Sequence, residues 1–183
     1  MLFRSLEIGP WAEAALLPAL SAAGYQLERF RNVYARDLTS LPDEPAAVIA
    51  QVDARTADDR KSILAGDVPV DSEARRISDE YCDSASKVDG SVDFLALVDG
   101  VPAACGSLNP IDGVGWLGGA ATRTGHRGKG LQTSLLKHRL HVARVLGCSF
   151  AAATALPDGQ SARNLERLGF DLLYTQAVLT KSL

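Results

Sequence analysis

Residues 114–133 read Val-Gly-Trp-Leu-Gly-Gly-Ala-Ala-Thr (114–122), Arg-Thr-Gly-His (123–126) and Arg-Gly-Lys-Gly-Leu-Gln-Thr (127–133). The first part is an apolar strand, the second a short basic loop, and the third opens a long helix. Gly128 and Gly130 leave main-chain N–H groups uncovered where the helix dipole is positive, which suits a phosphate or pyrophosphate. Arg127 and Lys129 add charge at the same place. Gly118 and Gly119 lie inside the strand, where glycine is otherwise unfavourable. They point to a bulge or to a ligand approaching the backbone closely.

Downstream, a helix over about 129–146 puts Leu131, Leu135, Leu136, Leu140, Val142, Ala143 and Leu146 on a broad apolar face. Lys137, Arg139 and Arg144 point away from it, and Gly147 ends it. A buried-type strand over 148–154 follows, then, after Pro157-Asp158-Gly159, a helix to Leu168, and a last strand over 170–181, whole or broken in two. Upstream, Asp89-Gly90, Asp99-Gly100 and Asp112-Gly113 punctuate strands at 92–98, 102–108 and the opening stretch. A strand at 48–52 comes before these, then a helix over 57–65 capped by Thr56 with Asp58 and Asp59 in its first turn. A second helix runs from Asp71 or Ser72 to about Ser86. From residue 46 the order is β, α, α, three antiparallel β, α, β, α, β. That order predicts an α+β fold, a mixed, mainly antiparallel sheet flanked by helices.

Residues 39–45, Thr-Ser-Leu-Pro-Asp-Glu-Pro, read as a linker to an amino-terminal segment, 1–38, made of a helix (10–23) and a strand (25–38). Pro18 would start or kink that helix rather than sit inside it. This segment resembles the end of the chain. An offset of 145 residues matches Leu20 with Leu165, Gly24 with Gly169, Leu27 with Leu172, Val33 with Val178 and Leu38 with Leu183. Residues 1–38 therefore read as the remnant of a preceding unit of the same kind.

Composition narrows the function. A chain of 183 residues, 46% hydrophobic and 22% charged, has room for one domain with a proper core. No apolar run reaches the roughly 18 residues of a membrane span, and the start has no charged leader followed by an apolar core. Cys82, Cys105 and Cys148 are odd in number and form no C-x-x-C, which predicts buried free thiols and a cytoplasmic location. A net charge of −3 speaks against a nucleic-acid binder, and the patch of Arg123, Arg127 and Lys129 lacks interleaved aromatics. Charge is unevenly spread: residues 39–100 carry net −8 and residues 101–183 net +5. A basic half holding an anion and an acidic half facing a cation would give this split, as would acidic helix starts gathered by chance in one region. His138 and His141 have a spacing that could bind metal, but no third ligand is apparent, so a solvated pair and no metal are expected. His126 adds only to the electrostatics of the loop.

Arg-Gly-Lys-Gly-Leu-Gln (127–132), between an apolar strand and an amphipathic helix, resembles the acetyl-CoA loop of the GNAT superfamily of N-acetyltransferases. Gly-Cys-Ser-Phe-Ala-Ala-Ala-Thr (147–154) resembles the family's next strand, and Ser-Ala-Arg-Asn-Leu-Glu-Arg-Leu-Gly-Phe (161–170) its late helix. The resemblance covers 46–183 and implies a GNAT-like domain that uses acetyl-CoA. It puts the pantetheine arm against main-chain groups of Ala120, Ala121 and Thr122. The pyrophosphate falls on the N–H groups of Arg127, Gly128, Lys129, Gly130, Leu131, Gln132 and Thr133. Asn164 is a further candidate for a cofactor hydrogen bond.

Three departures withhold a catalytic assignment. The loop's usual final Gly or Ala is Gln132, whose side chain must turn away from the pyrophosphate or bond to it. The strand 114–122 has no carboxylate to act as base, and the family's thiolate-protonating tyrosine falls on Leu165. Tyr174 and Ser161 are the nearby proton donors, each more naturally structural. The leading reading is direct acetyl transfer from acetyl-CoA to an amine, cationic or small, on a protein or a free molecule. The alternative is a GNAT-like module that binds CoA or another ligand without turnover. Asp67, Asp71, Glu73, Asp79, Glu80 and Asp83 are the acidic groups placed to meet a cationic acceptor, and the repeat allows a homodimer paired through residues 1–38.

Overall fold

A computed structural model describes residues 5–181. In chain order the elements are β1 (Ser5–Ile8), α1 (Leu16–Ala22), β2 (Gln26–Asp37), β3 (Val48–Gln51), α2 (Ala57–Ala65), α3 (Glu73–Ala85) and β4 (Val92–Val98). There follow β5 (Val101–Ile111), β6 (Val114–Thr122), α4 (Leu131–Val145), β7 (Phe150–Ala155), α5 (Gln160–Arg167) and β8 (Asp171–Thr180). The class is α+β, as the order of sequence signals predicts. Two compact units form, one from residues 37–152 and the other from residues up to 36 together with those from 153 on. Among the described residues no helix is long and apolar enough to cross a membrane.

In the unit of residues 37–152, strands run in the order β6-β5-β4-β3, each neighbour antiparallel. The two Asp-Gly signals make the hairpins. Asp99 and Gly100 (φ 51° and 79°) and Asp112 and Gly113 (φ 49° and 78°) all take positive φ, the geometry that lets a two-residue turn follow the strand twist. The buried centre is Phe94, Leu95 and Ala96 of β4 with Ala103, Ala104, Cys105 and Leu108 of β5. Ile63 of α2 packs on Leu95 and Cys105, while α4 covers the sheet through Leu135, Leu136, Leu140 and Ala143.

Several local expectations are revised. Ser72 caps α3, accepting from the Arg75 N–H at 3.1 Å. Thr56 makes no such bond; Asp53 organises that turn, accepting from the N–H groups of Arg55 and Thr56 and from the Thr56 hydroxyl at 3.0–3.1 Å. Helix α4 starts at Leu131 rather than Lys129, because Gly130 sits at φ 75°, outside helical space. Arg139 does not point to solvent but is fully buried, filling the volume that Gly106 leaves vacant on β5. Leu146, expected on the apolar face, is half exposed at the C-cap. The histidines are not a solvated pair. His138 meets Phe94 edge-on at 4.8 Å between ring centres, and His141 Nε2 lies 2.9 Å from the Pro42 carbonyl.

The other unit is a three-stranded antiparallel arrangement, β1-β8-β2. Pro18 falls at the third residue of α1, within the first turn, where a missing N–H costs no helical bond. Tyr34, buried on β2, donates to Glu166 of α5 at 3.1 Å. Arg31 reaches both Glu7 and the Thr154 hydroxyl. In the β2–β8 register Arg31 stands opposite Gln176, and those two residues are separated by the same 145 positions as the sequence repeat. An antiparallel pair centred on residues that the repeat superposes has a local twofold axis through that pair. Leu183, the last residue of the repeat, lies outside the described residues.

Candidate functional site: an anion loop beside a bulged strand

The loop takes its shape from its glycines. Gly128 and Gly130 both sit at φ 75°, with nothing within 4 Å of the place a Cβ would occupy. Backbone conformation, not crowding, demands glycine there. Gly130 caps α4 in the left-handed conformation without a side-chain hydrogen bond. Among the described residues, no main-chain N–H from 128 to 133 has a protein acceptor; the first bonded one is Ser134, to Gly130. Arg127 and Lys129 flank this row and are exposed. A row of open N–H groups at the positive end of a 15-residue helix has the electrostatics that favour an anion. Beside it lies a cavity of about 310 Å³ between residues 46–47 and the first turns of α4, with Lys129 and Lys137 in its wall.

Strand β6 changes face before it reaches the loop. Its register with β5 passes from Ser107↔Gly118 to Cys105↔Ala121, so Gly119 and Ala120 together oppose Gly106. This is a β-bulge, and one residue of the two is left without a ladder partner. Gly119 carries the positive φ, 53°, and a Cβ there would stand 2.5 Å from Ser107 Oγ. The bulge shifts the alternation. Gly115 lies against Ala143 of α4, yet Ala121, six residues on, packs toward Ile63 of α2.

Two buried guanidinium groups grip the bulge through Ser107. On one face Arg60 of α2 donates to Ser107 Oγ at 3.0 Å and pairs with Asp93 of β4, also at 3.0 Å. On the other, Arg139 of α4 donates to the carbonyls of Ser107 (3.0 Å), Gly118 (3.2 Å) and its own Leu135 (3.1 Å). No carboxylate pairs with Arg139 among the described residues. Burial pulls its guanidinium down to about 10, so it stays charged at neutral pH. The Cys105 thiol lies 3.5 Å from the Gly119 carbonyl, and burial pushes it up to about 11.

The candidate residues from the sequence fall as follows. Gln132 turns away from the loop, donating to the Ala121 carbonyl at 2.8 Å and to the Thr122 hydroxyl at 3.0 Å. Arg127 Nε approaches the Thr122 carbonyl at 3.5 Å. Ala120, at the bulge, is exposed. Leu131, the first residue of α4, is buried, and Thr133 is half-buried at the cavity. Asn164 belongs to the other unit, where its side-chain oxygen accepts from Gln160 at 2.9 Å and Arg167 at 3.1 Å. Tyr174, also there, stacks edge-on with Trp11 at 4.7 Å, and Leu165 is buried. Of the acidic groups, Glu73, Asp79, Glu80 and Asp83 are held in ion pairs within α2 and α3. Asp67 accepts from the Thr124 hydroxyl at 3.5 Å, and neither Asp67 nor Asp71 has an ion-pair partner among the described residues. No cluster of three or more metal-ligating side chains occurs among them. Sequence reasoning missed Arg60, Asp93, Ser107 and Arg139. The available signal was Gly106, a glycine within the apolar strand run Ala103-Ala104-Cys105-Gly106 and so a sign of something large pressed against the sheet.

A sequence model of the acetyltransferase (GNAT) family matches residues 58–170, which include α3, the bulge, the loop and all but the first residue of α2. No curated protein sequence matches the chain. Among solved structures, a GCN5-related N-acetyltransferase from Kribbella flavida is 23% identical, covering 98% of this chain and 68% of that one, with a TM-score of 0.70. A conserved protein of unknown function from Staphylococcus epidermidis is 15% identical over 97% of this chain and 72% of that one, with a TM-score of 0.71. A tandem GNAT protein of clavulanic acid biosynthesis is 16% identical, covering 96% and 62%, with a TM-score of 0.67. At these identities the structural likeness concerns the fold.

Proposed function

Because this chain belongs to the GNAT family of acetyltransferases, whose members draw on acetyl-CoA, we propose that it transfers the acetyl group directly to the amine of a small cationic acceptor. The observation that carries this reading is the row of open N–H groups at 128–133, framed by Arg127 and Lys129. It suits the pyrophosphate of CoA. The pantetheine arm would then run along β6. The Ala121 carbonyl already accepts from Gln132 and the Thr122 carbonyl from Arg127, which favours the Ala120 carbonyl as the acceptor for it. The bulge leaves one N–H of residues 119–120 off the ladder, a donor for the thioester carbonyl. With no carboxylate on β6, catalysis rests on holding amine and thioester together, which alone removes several kcal/mol of barrier. For the acceptor, the net −8 of residues 39–100 favours a cation, and among the described residues Asp67 and Asp71 have no ion-pair partner to displace.

The test is a panel of amines with acetyl-CoA, read as free CoA above the hydrolysis background, alongside calorimetry of acetyl-CoA binding. Turnover with polyamines or amino sugars exceeding that with neutral amines, and a several-fold higher KM in Asp67→Asn or Asp71→Asn, supports the reading. The bare strand β6 favours one other outcome, a CoA-binding module: saturable binding without release of CoA from any amine. Absence of acetyl-CoA binding defeats both.

A further inference from the structure

The bulge of β6 has an unusual foundation. A main-chain carbonyl and the N–H of the next residue share one peptide unit, so a donor on the carbonyl strengthens the N–H as a donor in turn. The carbonyl of Gly118 belongs to the peptide that carries the Gly119 N–H, and it accepts from the Arg139 guanidinium at 3.2 Å. The carbonyl of Gly119 belongs to the peptide that carries the Ala120 N–H, and it faces the Cys105 thiol at 3.5 Å. Both amides of the bulge are therefore polarised from behind by buried side chains. Arg139 is the stronger of the two. Its charge lies out of water, only 1% exposed, with carbonyl oxygens around it and no carboxylate paired with it among the described residues.

The sequence makes costly room for this arrangement. Any side chain at 106 would displace the guanidinium, since a Cβ there would lie 2.7 Å from Arg139 Cζ. An apolar side chain at 139 would fill the same space without burying a charge, and buried charge is expensive unless something uses it. The counter-charge that the site lacks is one that appears during reaction. As the amine nitrogen bonds to the thioester carbon, the carbonyl oxygen becomes an oxyanion. The C–S bond then breaks, the electron pair leaves on sulfur, and the proton shed by the amine ends on the CoA thiol by way of solvent.

Resting on the acetyltransferase reading, we propose that Arg139 is a positioning residue for that reaction. It fixes the bulge and polarises the Gly119 amide, so that this amide binds the oxyanion more tightly than the ground-state carbonyl. Arg60 and Ser107 hold the opposite face of the same bulge. Stabilisation confined to the transition state changes kcat and leaves substrate binding alone.

The experiment compares the wild type with Arg139→Met and Arg139→Lys. It measures kcat and KM, calorimetric affinity for acetyl-CoA, melting temperature, and the infrared stretch of acetyl-CoA carrying a 13C thioester carbonyl. Expected for Met are a kcat roughly ten- to a hundredfold lower and an affinity within about threefold of the wild type. The bound carbonyl stretch, lowered in the wild type, should return toward its value in solution, with Lys between the two. If the Met variant precipitates, the Lys variant carries the comparison. An unchanged kcat, or an equal carbonyl shift in wild type and variant, overturns the proposal. So does loss of affinity, kcat and melting temperature together in both variants, which marks Arg139 as scaffold alone. The infrared arm works without turnover, so a wild type that binds acetyl-CoA but acetylates nothing still decides the matter. A wild type that fails to bind acetyl-CoA removes the acetyltransferase reading itself, and the proposal with it.

Discussion

Gly130 and Gly106 are both intolerant of substitution, for different reasons that give different experimental signatures. At Gly130 the space is open and the backbone is left-handed. Gly130→Glu puts a carboxylate at the mouth of the proposed pyrophosphate site, and acetyl-CoA binding by calorimetry should vanish while the melting temperature falls by only a few degrees. Unchanged affinity would place the pyrophosphate elsewhere. At Gly106 the backbone is ordinary but the space is taken by Arg139. Gly106→Ala should cost about 1–3 kcal/mol in urea unfolding, the usual penalty of overpacking. The loop glycines were legible in the sequence because they fall at a strand-to-helix junction, where only a few roles for glycine exist. Arg139 was not legible. A helical wheel assigns an arginine to solvent, and nothing local to α4 says that the facing strand has a glycine-sized vacancy. Gln132 was half legible: the sequence showed that its side chain had to choose a direction, and the structure turns it onto β6.

Elements carry their own pH and capping behaviour. Burial against Phe94 holds His138 below the ordinary value of 6.5, and nearby His141 and Arg139 act in the same sense against Glu44. The unfolded chain therefore takes up the proton first as pH falls. This contribution to stability is whole above about 6.5 and drains away as pH drops through 6.5 toward the lowered value. The urea midpoint should fall between pH 7.5 and 5.5, with a shallower fall in His138→Gln. Cys82, Cys105 and Cys148 are all buried free thiols, each raised by burial. At pH 8 they should resist alkylation in the native protein, and three equivalents should react in denaturant. At the start of α2 the expected Thr56 cap is replaced by Asp53, which gathers two N–H groups and a hydroxyl. A carboxylate with two acceptor oxygens serves a turn better than one hydroxyl, a competition that a single-position capping rule cannot see.

The order of elements from residue 46 and both Asp-Gly hairpins could be read from local chemistry alone. How the ends of the chain meet could not, because partners 145 residues apart leave no periodic trace except the repeat itself. That repeat leads us to propose that the first 38 residues descend from a preceding GNAT-like unit. In the structure β8 lies between β1 and β2. Deleting residues 1–36 strips β8 of both neighbours and leaves two bare edges, so aggregation or pairing between copies is expected in size-exclusion chromatography. A soluble monomer with unaltered melting would show that β8 needs neither. The same pairing sets a timetable for biosynthesis. Residues 37–152 hold their own contacts and can collapse as they leave the ribosome, whereas β2 is made before that unit and its partner β8 after it. The segment that holds β2 must therefore wait without β8 while the whole of that unit is made. Exposed Leu27 and Phe30 on β2 make it the segment most in need of a chaperone during that interval.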